Sequence, residues 1–135
     1  MAYVFELAVS AETIEASPAK QAVAISPCII TQVTIVQPEG CVGLVGTWFM
    51  YQSHQLYPFN AGAKFKANGA PIIFRPNTEI AEPPYELTML CFNEDDTYPH
   101  TVYALIEVTL LETRKGGVLE QLGDAFSNLF LPGRA

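Results

Sequence analysis

The sequence predicts an all-β fold, an antiparallel sandwich or barrel, for most of the chain. Short segments rich in Val, Ile, Thr and aromatic residues alternate with turns that contain Gly, Pro and Asn. No segment before Gly116 has the helical periodicity that the crossovers of a parallel sheet require. The 135 residues are 50% hydrophobic and 16% charged, against about 25% charged in an average domain. One domain with a core of its own is therefore expected.

The first half of the chain divides into short strands. Apolar residues alternate along residues 3–9 with Glu6 on the opposite face, which is typical of a half-buried strand. A polar connection over residues 12–20 follows. The next strands are predicted at residues 21–25, 28–36, 44–51 and 55–59. We expect the segment bracketed by Pro27 and Pro38 to be a central strand, because it is rich in Ile, Val and Thr.

The second half begins with a turn signal, the Asn68-Gly69 pair, in which both residues tolerate positive φ. This pair predicts a hairpin between residues 63–67 and residues 72–75. A short extended piece at 79–81 and two longer strands at 85–92 and 101–111 complete the series. The pattern indicates eight or nine strands in antiparallel order.

The end of the chain has a different pattern. The sequence divides into a β domain at residues 1–113, a glycine-containing linker at residues 114–117 and a C-terminal arm at residues 118–135. Apolar residues of the arm recur at helical spacing and lie within an arc of about 140°. They are Val118, Leu119, Leu122, Ala125, Phe126, Leu129 and Phe130. A helix this short is marginal in water, so its apolar face must be buried. The sequence leaves open whether it packs on its own domain or on a neighbouring subunit, and the flexible Gly116-Gly117 pair favours the neighbour.

The distribution of charge restricts the partners. Fourteen acidic and seven basic residues give a net charge of −7, which repels phosphate backbones and anionic lipid, so neither nucleic acid nor a membrane is an expected partner. Residues 21–63 contain one formal charge, Glu39, yet Gln52, His54 and Pro58 make a membrane span implausible. Strands without charge are covered on both faces, which predicts contacts between subunits in a homo-oligomer. The first residues lack the basic region of a secretory signal.

Residues capable of catalysis are few and scattered. Three cysteines without C-x-x-C spacing are typical of buried thiols in a protein made in a reducing compartment. His54 and His100 lie 46 residues apart and lack the spacing of a metal site. The acidic run at 94–96 lacks the alternating ligands of a calcium loop and is interpreted as a solvated turn. No nucleophile or phosphate-loop motif is present, so we expect no enzyme activity, no catalytic or metal-binding residue and no cofactor.

Aromatic residues crowd into a short stretch that contains Trp48, Tyr51 and Tyr57. Exposed rings of this kind bind sugars by stacking in some β-sandwiches. A core or a subunit interface is the commoner setting, because interfaces are enriched in Tyr, Trp and Phe. These three residues are therefore candidates for an aromatic binding surface, and a carbohydrate- or receptor-binding module is the first alternative function. A metal-dependent enzyme is the second.

The order of the motifs resembles that of a known group of proteins over about residues 25–108. The motifs are ITQVTI at 30–35, PEG at 38–40, GLVG at 43–46, HQLYPFN at 54–60, EPPYEL at 82–87 and YPHTV at 98–102. This pattern is similar to that of small jelly-roll-type virion proteins of tailed bacteriophages. The resemblance implies a single jelly-roll β-sandwich with a short C-terminal helix.

For function, the same resemblance implies a non-enzymatic virion subunit, either a capsid decoration protein or a tail or baseplate component. Its partners would be other virion proteins and further copies of itself. Such a protein is made in the host cytoplasm and ends in the virion. Leu122, Phe126, Leu129 and Phe130 of the arm are the residues we expect to reach a neighbour.

Overall fold

The computed structural model describes residues 1–111, which form a β-sandwich of two antiparallel sheets. The strands are β1 (Ala2–Val9), β2 (Ala19–Ala24), β3 (Cys28–Val36), β4 (Val45–Tyr51), β5 (His54–Tyr57), β6 (Ile72–Phe74), β7 (Thr78–Ile80), β8 (Glu86–Asn93) and β9 (His100–Leu110). The predicted β-sandwich is confirmed. Within the described residues, no helix has the length and hydropathy needed to cross a membrane.

Strand order follows a nested pattern. Sheet A has the order β1-β9-β3-β6, and β7 pairs with β3 beside β6; sheet B has the order β2-β8-β4-β5. The innermost pair along the chain is β4 with β5, followed outward by β3 with β6 and β7, β2 with β8, and β1 with β9. Each strand of the first half therefore pairs with its counterpart in the second half.

The core lies between the sheets because alternate residues of each strand point inward. Phe5 of sheet A contacts Phe49 of sheet B edge to face, with ring centroids 5.7 Å apart, and Phe49 contacts Tyr57 at 6.3 Å. Apolar side chains from both sheets fill the remaining space, among them Ile30, Ile35, Leu87, Met89 and Ile106. Each fully buried side chain of this size contributes about 1.5–3 kcal/mol to folding.

A buried glutamine fastens a long loop to sheet B. Gln37 is fully buried, and its Nε2 donates to Thr47 Oγ1 at 2.8 Å and to the Phe65 carbonyl at 3.0 Å. Phe65 also exchanges two backbone hydrogen bonds with Thr47. A buried amide is costly unless its donors are satisfied, so this contact fixes the path of the loop between β5 and β6.

The hairpin predicted at Asn68-Gly69 is wrong. Residues 63–67 form one bridge, between Phe65 and Thr47 of sheet B, whereas β6 pairs with β3 of sheet A. The two flanking segments thus find partners in different sheets and never meet each other. Gly69 does have a positive φ of 93°, and the Asn68 side chain accepts hydrogen bonds from the backbone N–H groups of Gly40 and Val42. The pair ties two loops together instead of joining two strands.

Gly46 occupies a position in β4 that a larger residue would not fit. It lies directly opposite Phe92 of β8, and a Cβ atom placed on Gly46 would be 2.3 Å from Phe92 Cζ. The Phe92 ring therefore rests on the bare backbone of the neighbouring strand. Trp48 contacts the same ring at a centroid distance of 6.1 Å and limits the space into which it can shift.

We expect Gly46→Ala to lower the free energy of unfolding by about 1–3 kcal/mol, because the new methyl group overpacks against Phe92. Urea denaturation followed by circular dichroism measures the effect. Combining Gly46→Ala with Phe92→Leu removes the overlapping ring atoms, so the double variant should lose less stability than the sum of the two single variants. Strict additivity would contradict this account of the contact.

Candidate interaction surfaces

The outer face of sheet A carries a row of apolar side chains that crosses the sheet. Val4 of β1 lies opposite Leu105 of β9, which lies opposite Thr34 of β3, and Ile73 of β6 completes the row. Tyr103 is the next outward residue along β9. Val4, Ile73, Tyr103 and Leu105, here called the sheet A patch, are 64%, 57%, 43% and 36% exposed. Clustered apolar side chains of this kind mark interaction sites more often than scattered ones do.

Polar groups border the sheet A patch on both sides. Glu6 lies opposite Tyr103 at one margin. At the other margin, Gln32 Nε2 donates to Glu107 Oε2 at 3.0 Å, and Arg75 Nε donates to Gln32 Oε1 at 3.0 Å. An apolar centre with a polar rim is the usual composition of a protein–protein interface.

The outer face of sheet B is covered by the chain itself around Trp48 and Phe92. Trp48 and Phe92 point outward there, but each is buried in the folded domain. Lys64 Nζ lies 4.5 Å from the centroid of the Trp48 ring, and Lys66 Nζ lies 5.3 Å from that of Phe92. Lys64 also pairs with Glu15 at 3.3 Å, which connects two loops over the sheet. The ammonium groups of both lysines thus lie on aromatic faces, and the Lys64 side chain is 9% exposed.

The structure places the three predicted aromatic residues at separate positions. Trp48, Tyr51 and Tyr57 are 8%, 8% and 6% exposed, and Trp48 faces outward from sheet B whereas the two tyrosines face the core side. The Tyr51 hydroxyl donates to the Glu82 carbonyl. The Tyr57 hydroxyl donates to Thr78 Oγ1 at 2.6 Å, and burial raises the pKa of Tyr57 to about 12. The three rings do not form one stacking platform.

Tyr57 lines an open apolar cavity at the side of the sandwich where β5 faces β6 and β7. Its volume is about 390 Å³, and its walls are Tyr57, Pro58, Phe59, Phe65, Phe74, Pro76 and Thr78. Phe74 stacks on Phe65 at 5.5 Å and meets Tyr57 edge to face at 5.2 Å. Phe59 at the rim is 95% exposed. Sequence reasoning missed Phe65 and Phe74, because they come from segments that share no local motif with Tyr57.

Three loops meet at the end of the sandwich where β9 begins, and each exposes an apolar residue. These residues are Ile14, Val42 and Tyr98, in the β1–β2, β3–β4 and β8–β9 loops. Backbone hydrogen bonds join the loops, from Glu12 N to the Asp95 carbonyl and from Glu94 N to the Leu44 carbonyl, both within 2.9 Å. These hydrogen bonds therefore fix the positions of the three loops relative to one another at this end of the molecule.

Asp95 organises the β8–β9 loop. Its Oδ2 lies 2.9 Å from His100 Nε2, and its Oδ1 accepts from the backbone N–H groups of Thr97 and Tyr98. The hydrogen bond with His100, followed by those two backbone donors, holds the pKa of Asp95 below its ordinary value. The acidic run predicted as a solvated turn is a loop, with Glu94 and Asp96 exposed and Asp95 half-buried.

The thiols and the second histidine lie in ordinary structural settings. Cys28, Cys41 and Cys91 are free and buried, as predicted. Burial raises the pKa of each thiol, to about 12 for Cys91, which is opposite to the shift that activates a thiolate. His54 is exposed at the start of β5. Among residues 1–111, no three metal-ligating side chains lie together.

The predicted arm residues Val118, Leu119, Leu122, Phe126, Leu129 and Phe130 lie outside the described residues. The described chain leaves the sandwich at Leu111, which is buried and donates its N–H to the Pro27 carbonyl at 2.9 Å. Comparisons with protein-family models and with curated proteins find no match for the chain.

We expect Asp95→Asn to lower the urea midpoint at pH 7, because the variant loses a carboxylate that is more acidic in the folded chain than in the unfolded chain. A lowered folded pKa stabilises the fold above the ordinary aspartate pKa of about 3.9, and this stabilisation disappears as the pH falls through the folded pKa. The difference between wild type and variant should therefore shrink below about pH 4.

The neighbouring exposed carboxylate provides the control for this experiment. Asp96 accepts a hydrogen bond from the Thr97 hydroxyl, and Asp96→Asn should change the urea midpoint less than Asp95→Asn does at pH 7. A difference between wild type and Asp95→Asn that stays constant down to pH 2 would contradict the role given to the Asp95 carboxylate.

Proposed function

We propose that this protein is a non-enzymatic structural subunit of a virion, which assembles through contacts between copies and with other virion proteins. The observation that carries the proposal is the sheet A patch, an apolar row left open on a folded domain. Removing apolar surface from water is favourable by about 25 cal/mol per Å², and association gains the part of this free energy that exceeds the entropy lost on binding, so an open sheet face favours assembly. The place of the subunit is a capsid surface, or a tail or baseplate.

We further propose that the sandwich is a jelly roll, and the strand order supports this assignment. A jelly roll has eight strands in two sheets, with two Greek keys. When β6 and β7 are counted as two parts of one strand beside β3, the chain contributes eight strands. Their nested pairing, from β4 with β5 outward to β1 with β9, is that of one long hairpin wrapped into two sheets.

The sequence supports assembly independently of the fold. The run at 21–63 with its one charge contains β3, β4, β5 and most of β2, so it contributes to both sheets. The seven apolar residues of the arm add a second surface that must be buried. A subunit with two such surfaces, one on its body and one at its terminus, suits an assembly in which each copy contacts at least two others.

We expect Leu105→Asp to weaken self-association by about tenfold or more, because a charge at the centre of an apolar interface must be desolvated. Light scattering and sedimentation velocity over a range of protein concentrations measure the change, and circular dichroism checks that the sandwich is folded. Ala22→Asp is the matched control, since Ala22 is exposed on the outer face of sheet B.

Two outcomes of that experiment would count against the proposal. Wild-type protein that stays monomeric at all concentrations would exclude self-assembly of the protein. Wild-type oligomers that Leu105→Asp and Ala22→Asp weaken equally would show that the sheet A patch is not the contact surface.

A carbohydrate- or receptor-binding module is the second candidate function, and the cavity beside Tyr57 favours it. Four of its seven lining residues are aromatic, including the exposed Phe59, and the hydroxyls of two lining residues, Tyr57 and Thr78, are hydrogen-bonded to each other. Apolar walls with a few polar groups are the common composition of a small-ligand site. Aromatic faces also suit the apolar face of a sugar ring.

If this second function holds, wild-type protein binds specific glycans on an array and Phe59→Ala reduces that binding by tenfold or more, about 1.4 kcal/mol. Phe59 is a suitable target because its side chain is exposed, so its removal leaves the core intact. Val42→Ala, at another exposed apolar residue that does not line the cavity, is the control. An array without any bound glycan would reject the carbohydrate form of this alternative.

A further inference from the structure

We propose that the sheet A patch of one copy is the docking site for residues 118–130 of a neighbouring copy. The inference rests on the proposed function as an assembly subunit and names the two surfaces that meet. One surface is the apolar row on sheet A, and the other is the apolar arc of the C-terminal arm. Each would gain free energy by burial, and each belongs to every copy.

The dimensions of the two surfaces match. The row from Val4 to Ile73 crosses four strands, which at about 4.8 Å between neighbours spans about 14 Å. A helix formed by the 13 residues of 118–130 is about 20 Å long. Such a helix covers the whole row and extends over its margins. Bulky side chains of the arc, such as Phe126 and Phe130, then meet a surface of β-branched and aromatic residues.

The point at which the chain leaves the sandwich argues for a neighbour. Leu105 lies six residues before Leu111 along β9, which is about 20 Å back from the exit. Residues 112–117, which lie between Leu111 and the apolar arc, span at most about 20 Å when fully extended, and part of that length is needed to reverse direction. If the arm docked on sheet A of its own copy, the first half of the apolar arc would therefore lie over the polar margin that contains Glu107 and Thr109, not over the patch.

Charge complementarity favours the same pairing. The segment that leads to the arc carries Arg114 and Lys115, with Glu112 as its one acidic residue. The margins of the patch carry Glu6 and Glu107, with Arg75 the basic group that contacts Gln32 there. A linker that arrives from another copy passes over one of these margins, where its two basic residues meet acidic groups. Exposed pairs of this kind set orientation more than they add affinity.

The pairing is heterologous, because the arm of one copy binds the body of the next. Such contacts generate a closed ring when the rotation between copies closes, and a filament when it does not. Both forms suit a repeating surface of a virion. The occupant of the patch is thus a second copy of this chain.

Disulfide trapping tests the inference with the full chain. One variant carries Leu105→Cys in the patch and the other carries Phe126→Cys in the arm, and the two are co-expressed with different affinity tags. We expect oxidation to yield a cross-linked species of twice the chain mass that contains both tags. The native Cys28, Cys41 and Cys91 are fully buried and do not compete. Ala22→Cys replaces Leu105→Cys in the control, which should give little of this species.

Three results would overturn the inference, and they separate it from the proposed function. Oligomers without the mixed cross-link would leave the assembly function standing and reject the arm as occupant. A chain that carries both substitutions and cross-links only within itself would assign the patch to its own arm. Full-length protein that stays monomeric at all concentrations would reject the proposed function and the inference together.

Discussion

The fold depends on the contact between the two sheets, which includes the edge-to-face pair of Phe5 and Phe49. Side chains alternate along every strand, so each sheet has one apolar face that must be buried and one face that points away from the core. Packing the sheets together covers both inward faces at once, and it leaves two outward faces. The distribution of apolar residues on those outward faces then decides what the protein contacts.

The two outward faces are treated differently by the same chain. On sheet B, the long loop between β5 and β6 returns over the sheet, held by Gln37, and lays Lys64 and Lys66 on the aromatic rings beneath. On sheet A, no equivalent loop within residues 1–111 crosses the row that contains Val4 and Leu105. The loop thus covers Trp48 and Phe92 on sheet B, whereas Val4 and Leu105 on sheet A are exposed.

Sequence patterns predicted the strands well because alternation and turn residues are local signals. They failed at Asn68-Gly69, where the choice of partner strand is not local and the two flanking segments go to different sheets. The cavity aromatics Phe65 and Phe74 were missed for the same reason. The pair formed by Asp95 and His100 joins two ends of one loop, which only the folded path of that loop brings together. Trp48 and Tyr51 are close in sequence but do not share a surface, because they point to opposite sides of the sheet.

The position of Trp48 has a consequence for optical measurements. It is the single tryptophan of the chain, and its ring lies outside the core, beneath Lys64. Its fluorescence therefore reports the closure of the β5–β6 loop over sheet B, while circular dichroism reports the strands themselves. Coincident unfolding curves from the two signals would mean that the loop and the sandwich come apart in one cooperative step. An earlier fluorescence change would mean that the loop opens while the sheets are still paired.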